Sequence, residues 1–456
     1  MPPIIEPNSL PATGPGLFRL IPDFFQRSYF HITSRPAAQN FIWLIADRGL
    51  RLGIGVLVSS WSARYLGVAN FGLLNYAMAL VAIFAGIIPL GMDGLVVREI
   101  IRNETAAGLW VGTVMGFRCV VACGCALLSM GAAILLRPGE SLTLTIVSVF
   151  AVGTIAQSLE SGELLFQARI QMRRLIVPRL GLFFLMNILK IALIISGMSV
   201  FWFAMLTALE MVLSGSLTLI FVRRALGAAN PLGFNFSHGW NLLREAWPLA
   251  LAGLAVIVYM RLGMVIVGKL MGLSALGIYA AAIRIPESAN FIPLVLASSL
   301  LPGLIKTREH KPEFYEKALL RFFRINVLIA YAICLPLTLG APWIINILFH
   351  HAYAASTPVM MIYVWSLLFI FLGVARTQYL LNERFTRLSL LFSSLGLVIN
   401  LTFNFLLIPW FGIIGAALAT VISQAGSAFL ASFFVPATRR LARLQAIALF
   451  TPWKIF

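Results

Sequence analysis

About twelve apolar stretches, each close to the ~20 residues that a helix needs to cross a hydrocarbon core, dominate this chain of 456 residues. They lie near 41–63, 71–92, 109–136, 143–166, 178–197, 200–222, 245–267, 274–300, 325–348, 355–381, 388–408 and 412–435. Backbone in lipid must satisfy its own hydrogen bonds, so each stretch is expected as a helix. Charged residues make up 11% of the chain and the mean hydropathy is +0.93. A water-soluble domain carries about 25% charge, so the chain reads as an all-α integral membrane protein.

Lys and Arg placement gives the expected orientation. Of the 34 basic residues, 24 fall in segments that share a side if the N-terminus is cytoplasmic, and only Arg64, Arg137 and Lys269 fall opposite. That bias predicts both termini inside and the turns at 64–70 and 268–273 outside. Segment 223–244 divides six spans from six. The expected organisation is a cytoplasmic tail (1–38), a six-helix lobe (39–222), a cytoplasmic linker (223–244), a second six-helix lobe (245–436) and a cytoplasmic tail (437–456). A further long connection is expected at 301–324. Within the first tail, Leu17 to His31 is compatible with a short interfacial helix that dips Phe18, Ile21, Phe24 and Phe25 into the headgroups, or with a disordered tail.

The two halves open on related hairpins. Laying Gly67 on Gly272 puts Gly72 on Gly277 and Arg64 on Lys269, the layout of a weak internal repeat.

Ionisable groups inside the spans are costly and mark polar interiors. Seven are basic (Arg48, Arg51, Arg118, Lys190, Arg261, Arg284, Arg376) and five acidic (Asp47, Glu160, Glu163, Glu210, Glu287). Asp47 and Arg51 are four apart; Arg284, Glu287 and Asn290 step by three; Gln157, Glu160, Glu163 and Gln167 form a ridge. Asn400 and Asn404 extend the polar pattern. These sets fit either self-contained helix contacts or a cavity lining. Arg118, Lys190, Arg261 and Arg376 have no acid at i±3 or i±4, so their partners are either tertiary acids or an anionic cargo. Arg48 and Arg376 also lie where snorkelling to the interface is an alternative. Pro286, between Arg284 and Glu287, marks a bend.

Other chemistries find no support. The net charge of +18 sits at span ends, where it meets anionic lipid headgroups rather than nucleic acid. Cys119, Cys123, Cys125 and Cys334 lie inside spans with no disulfide or metal spacing. The chain has no Walker sequence, no dinucleotide fingerprint and no catalytic loop, so it does not read as an enzyme.

Leu66-Gly67 with Phe71-Gly72, Gly91, Tyr259-Met260-Arg261, Gly268, Gly277 with Tyr279, Glu287 and Pro302 stand in an order that resembles the bacterial polysaccharide transporter family. These are the O-antigen and exopolysaccharide repeat-unit flippases of the multidrug/oligosaccharidyl-lipid/polysaccharide transporter superfamily. The resemblance covers about residues 38–436. It implies a MATE-like V-shaped pair of six-helix lobes around a cationic cavity in the bacterial inner membrane. The implied cargo is a polyprenyl-diphosphate-linked oligosaccharide moved to the periplasmic leaflet by alternating access. On that reading Arg51, Arg118, Lys190, Arg261, Arg284 and Arg376 bind substrate, and Asp47, Glu160, Glu163, Glu210 and Glu287 gate or couple. The implied partners are membrane lipids and a polysaccharide polymerase with its chain-length machinery. No cofactor is called for, with coupling to a monovalent cation or a proton left open. The chain departs from the family at Gly263, where members commonly carry an acid two residues after the arginine. The alternatives are a cation-coupled exporter of drugs or metabolites, disfavoured by the basic excess, and a non-transporting scaffold.

Overall fold

The computed structural model describes residues 35–227, 230–383 and 385–454. The interfacial helix considered at 17–31 lies outside these residues. The described chain is helical throughout: α1 (Arg35–Ala85), α2 (Asp93–Arg102), α3 (Ala107–Leu136), α4 (Ser141–Gln157), α5 (Glu163–Ala168), α6 (Arg173–Ile195) and α7 (Val200–Leu226) form the N-terminal half. The C-terminal half has α8 (Phe236–Leu270), α9 (Gly272–Ser288), α10 (Ile292–His310), α11 (Pro312–Phe349), α12 (Ser356–Tyr363), α13 (Ser366–Asn382), α14 (Thr386–Ala425), α15 (Ala431–Phe434) and α16 (Arg439–Phe450).

Ten helices among the described residues are long and apolar enough to cross a membrane, against the twelve stretches read from sequence. The difference arises at two glycines inside continuous helices, Gly67 (φ 74°) and Gly412 (φ 60°), whose positive φ breaks the helical path at low steric cost. Beyond Gly412 the chain folds back on itself. Gly415 packs on the Leu407 carbonyl, the Asn400 amide donates to Ser423 Oγ, and Gly396 faces Ser427, an antiparallel register. α1 also reverses. Before Gly67 it climbs alongside α6, with Arg51 over Phe183 and Tyr65 reaching the Met198 carbonyl. After Gly67 it descends along α8, with Tyr76 near Gly268 and Gly86 near Leu254 and Ile257.

Burial distinguishes the two ends of the bundle. Near Gly67, one apolar cluster draws on both halves, joining Leu66, Tyr76 and Phe150 to Val267, Tyr279 and Tyr353. At the other end the apolar cores separate. One is built from the N-terminal half plus the start of α8, and the other wholly from the C-terminal half. The halves thus share one core near Gly67 and have separate apolar cores away from it, where the start of α8 stays against the N-terminal half through Gly91 on the Ala246 and Ala250 backbone.

Two connections differ from expectation. Residues 301–324 are not a loop, because α10 runs to His310 and Pro312 opens α11 after the single non-helical Lys311. The inter-lobe linker is shorter than 223–244, since α7 continues to Leu226 and α8 begins at Phe236. Its residues 230–235 lie along α3 on a face of Gly108, Gly112 and Gly116. The Gly108 amide donates to Asn230 Oδ1 at 3.1 Å, and the Asn235 amide donates to Thr113 Oγ1 at 3.0 Å. Residues Arg439–Phe450 are likewise helical. α16 buries Leu441, Leu444 and Ala448 against the C-terminal lobe, and Arg440 pairs with Glu316.

A Cβ on Gly112 would lie 2.2 Å from the Gly233 carbonyl oxygen, whereas one on Gly124 meets nothing. Gly112→Ala is expected to cost about 1–3 kcal/mol through overpacking. Gly124→Ala should be neutral or stabilising by roughly 0.5–1 kcal/mol. Thermal unfolding of the two variants in detergent would reveal the contrast, and equal melting temperatures would mean the linker does not rest in this groove.

Candidate functional site

The charged residues of α8 and α9 meet where helical geometry is interrupted. Pro286 has no N–H, so the Ala282 carbonyl loses its helical donor. Two residues later α9 gives way to a 3₁₀ turn, Ala289–Phe291. Glu287, on this irregular stretch, receives the Arg261 guanidinium from α8: Arg261 Nη1 lies 3.1 Å from Oε2 and 3.3 Å from Oε1. The Tyr363 hydroxyl of α12 donates to the same carboxylate at 3.4 Å, and its ring meets Tyr279 edge-on at 6.3 Å. Arg284, one turn before Glu287 and half-buried, makes no hydrogen bond or ion pair with the described residues. Among the described residues Glu287 is ion-paired with Arg261 alone, so the Arg284 guanidinium leaves a positive surplus that an anion would neutralise.

The other anticipated cations are mostly satisfied by the fold. Arg51 pairs with Asp47 at 2.7 Å and stacks over Phe183, its side chain 31% exposed. Lys190 pairs with Glu210 at 2.9 Å between α6 and α7. Arg118 is buried, and its partner is Asp93, at 2.6 Å. It also donates to the Pro89 carbonyl and Ser161 Oγ. The tertiary acids weighed for it, Glu160, Glu163 and Glu210, are engaged elsewhere. Glu163 holds Arg179 at 2.7 Å, Glu160 accepts from Ser214, and Arg179 lies within α6 rather than in a loop. Arg376 is enclosed in the C-terminal lobe without an acid among the described residues. It donates to the Ser427 carbonyl and sits 4.4 Å from the Phe392 ring centroid. It does not snorkel.

Of the four cations expected to line one cavity, Arg51, Arg118 and Arg261 each hold an acid, and Arg284 holds none among the described residues. Arg118 joins α3 to the turn at 89–93 and to the 3₁₀ segment at 158–162. Arg284 and the exposed Arg48 are the intramembrane cations left without an ion-pair partner or an enclosing backbone contact among the described residues. Sequence spacing missed Asp93 because it falls one residue beyond an apolar stretch. It missed Tyr363 because a tyrosine in a span carries no charge signal.

Asn400 and Asn404, which extend the polar pattern, are occupied too. Within α14 Asn404 donates to Asn400 and Asn400 to Ser423, and Tyr259 of α8 donates to Gln424 of α14 at 3.4 Å. Asn404 Oδ1 receives no donor, and a Cβ on Gly263 would lie 3.3 Å from it. An apolar cavity of about 510 Å³ opens between α1 and α9–α11, lined by Gly49, Leu52, Ile285, Ser288 and Pro336. Arg48 and Arg284 adjoin these lining residues in the chain. A second cavity, about 560 Å³, lies away from the cluster beside α2 and α5, and its Arg169 is committed to Glu104 at 3.0 Å.

If Arg118 joins helices rather than binding cargo, Arg118→Ala should lower stability by about 3 kcal/mol, since it breaks a charge-assisted set around a buried cation. Arg284→Ala should leave the melting temperature near that of the unmodified protein. Thermal unfolding in detergent separates the two roles, and an unshifted Arg118→Ala melt would remove the structural assignment.

The model of the family described as polysaccharide biosynthesis protein matches residues 37–308. A relative from Haloferax volcanii, "Probable flippase AglR", is 24% identical over 421 residues, covering 86% of this chain and 82% of that protein. Among solved structures, an inward-facing multidrug resistance MATE family transporter of the MOP superfamily superposes with a TM-score of 0.70 at 17% identity, covering 88% of this chain and 96% of that one. The lipid II flippase MurJ, in an inward closed conformation, gives 0.69 at 13% identity, covering 91% and 92%. Helical hairpins reversed at glycines, two halves that share one core near Gly67 and an arginine–glutamate cluster between α8 and α9 thus accompany a family match over more than half the chain: it belongs to the polysaccharide biosynthesis protein family, with the fold of the MOP superfamily transporters.

Proposed function

We propose that this chain is a flippase that carries a polyprenyl-diphosphate-linked oligosaccharide from the cytoplasmic to the periplasmic leaflet of the bacterial inner membrane. On this reading it makes twelve crossings with both termini inside, and lobes 39–222 and 245–436 alternate access around their interface. The observation that carries it is the unmatched guanidinium of Arg284 beside the Arg261–Glu287 pair. A diphosphate accepts several charge-assisted hydrogen bonds at once, and two planar guanidinium groups present donors in a matching geometry. Binding there would compete with Glu287 for Arg261, so cargo arrival would release the carboxylate and loosen α8 from α9 and α12. The apolar opening between α1 and α9–α11 suits a polyprenyl tail that stays in lipid while the head group enters. The family match and a relative named as a flippase support the same reading. Arg51 and Arg48 on α1 are second-rank contacts, and a polymerase with chain-length machinery would receive the product.

Translocation of lipid-linked oligosaccharide in reconstituted vesicles tests this directly. Arg284→Ala and Arg261→Ala should each slow it by about tenfold or more, the loss of at least one strong charge-assisted contact. Arg284→Lys should recover it in part, because charge returns without the fork. Glu287→Gln should alter turnover without abolishing binding. Unmodified rates in both alanine variants would remove the cationic site, and efflux of cationic dyes without lipid transfer would favour the drug-exporter alternative. Orientation is a separate check. A cysteine introduced at the exposed Ser141 should react with an impermeant reagent added outside spheroplasts, whereas labelling only after permeabilisation would invert the topology.

A further inference from the structure

Cations are disfavoured on the outer side of a membrane protein, so the three that loop placement assigns there call for a use. All three reach across the lobe boundary to the same kind of acceptor. Arg64, near the end of the rising half of α1, donates through Nε to the Leu348 carbonyl at 2.7 Å and through Nη2 to the Ile347 carbonyl. Both acceptors lie in the last turn of α11, where carbonyls have no helical donor. Lys269, near the end of α8, donates to the carbonyl of Leu136, the last residue of α3. Arg137, just beyond α3, donates back to the Gly268 carbonyl in the last turn of α8. Its guanidinium lies 4.8 Å from the Tyr76 ring centroid and is held from behind by Glu140 at 2.7 Å.

The arrangement follows the internal repeat. Arg64 and Lys269 each stand three residues before a glycine of positive φ, Gly67 (74°) and Gly272 (86°). Each caps the terminal turn of a helix in the opposite lobe. Gly72 and Gly277, the second glycines of the two repeats, let the same lobes approach closely: an added Cβ would lie 1.9 Å from the Leu273 oxygen and 2.0 Å from the Val68 oxygen, respectively. The Tyr353 hydroxyl completes the junction by donating to the Ala63 carbonyl at 2.8 Å. The acceptors are helix-end carbonyls with partial negative charge rather than carboxylates, which suits a contact that must be broken and remade.

We propose that Arg64, Lys269 and Arg137 form a two-fold latch that holds the lobes shut at this end and sets the balance between the two access states. The latch rests on the alternating-access reading. Its test needs no cargo, so its failure leaves the diphosphate site untouched.

Spin labels at Ser141→Cys in the N-terminal lobe and Ala352→Cys in the C-terminal lobe, both exposed positions, would report the separation of the lobes at this end. The protein would have Cys119, Cys123, Cys125 and Cys334 replaced by serine and be held in lipid nanodiscs. The unmodified latch should give mainly the short distance. Removing both repeat cations, Arg64→Gln with Lys269→Gln, should raise the long-distance population about tenfold, as expected when strong hydrogen bonds bias a two-state equilibrium. Each single exchange should give about a threefold rise of similar size, and the charge-preserving Arg64→Lys and Lys269→Arg should restore most of the short-distance population. Arg223→Gln, at the opposite end, should change nothing. Should the double variant not fold, the single variants carry the test. An unchanged distance distribution in folded Arg64→Gln and Lys269→Gln proteins would overturn the latch, as would an equal shift from Arg223→Gln.

Discussion

A guanidinium or ammonium group at membrane depth must find an acceptor within the protein, and most of this architecture can be read as the set of acceptors supplied. Asp47, Asp93, Glu163, Glu210 and Glu287 each hold one cation, and each except Asp47 does so across a helix boundary. Arg376, lacking an acid, takes a backbone carbonyl and an aromatic face. Breaking any such contact would strand a charge in a low-dielectric interior, where unpaired groups are most costly. The pairs therefore fix which helices are neighbours. Arg284 is half-buried, unlike the exposed Arg48, and the same constraint is left open there among the described residues.

The second organising element is glycine, used in two ways. At Gly67 and Gly412 a positive φ turns one continuous helical run into an antiparallel pair. At Gly72, Gly277 and Gly112 the absence of a Cβ lets backbone meet backbone. In a bilayer, helix association gains little from the hydrophobic effect, so such approaches carry much of the packing. The result is asymmetric along the membrane normal. A shared core and hydrogen bonds between the halves mark one end, while the apolar cores at the other are separate. Alternating access, as proposed, would need that asymmetry to be reversible. Contacts made to helix-end carbonyls, rather than by permanent carboxylate pairs, are compatible with reversal.

The site lies where these two themes meet. Pro286 and the 3₁₀ turn after Ser288 interrupt α9 beside the Arg261–Glu287 pair, so the segment bearing Arg284 and Glu287 lacks part of its helical hydrogen bonding. Tyr363 links that segment to α12. A change in the Glu287 ion pair would thus be felt at once by three helices.

Length, hydropathy and loop charge by themselves determined that this chain is a helical membrane protein, and the apolar stretches fall on the helices found. The repeat was legible as well, because Gly67, Gly272, Arg64 and Lys269 recur at fixed spacing and positive φ is a local property of the backbone. Tertiary structure alone decided the partners. Arg118 looked unpaired because its acid, Asp93, is 25 residues away and comes close only when the chain turns at Leu90 and Gly91, both at positive φ. Arg261 likewise meets Glu287 only after α8 and α9 pack. Sequence periodicity registers neighbours three or four residues apart on one helix. Between helices, an acid and a base are brought together by packing, and packing is what left Arg284 without a partner.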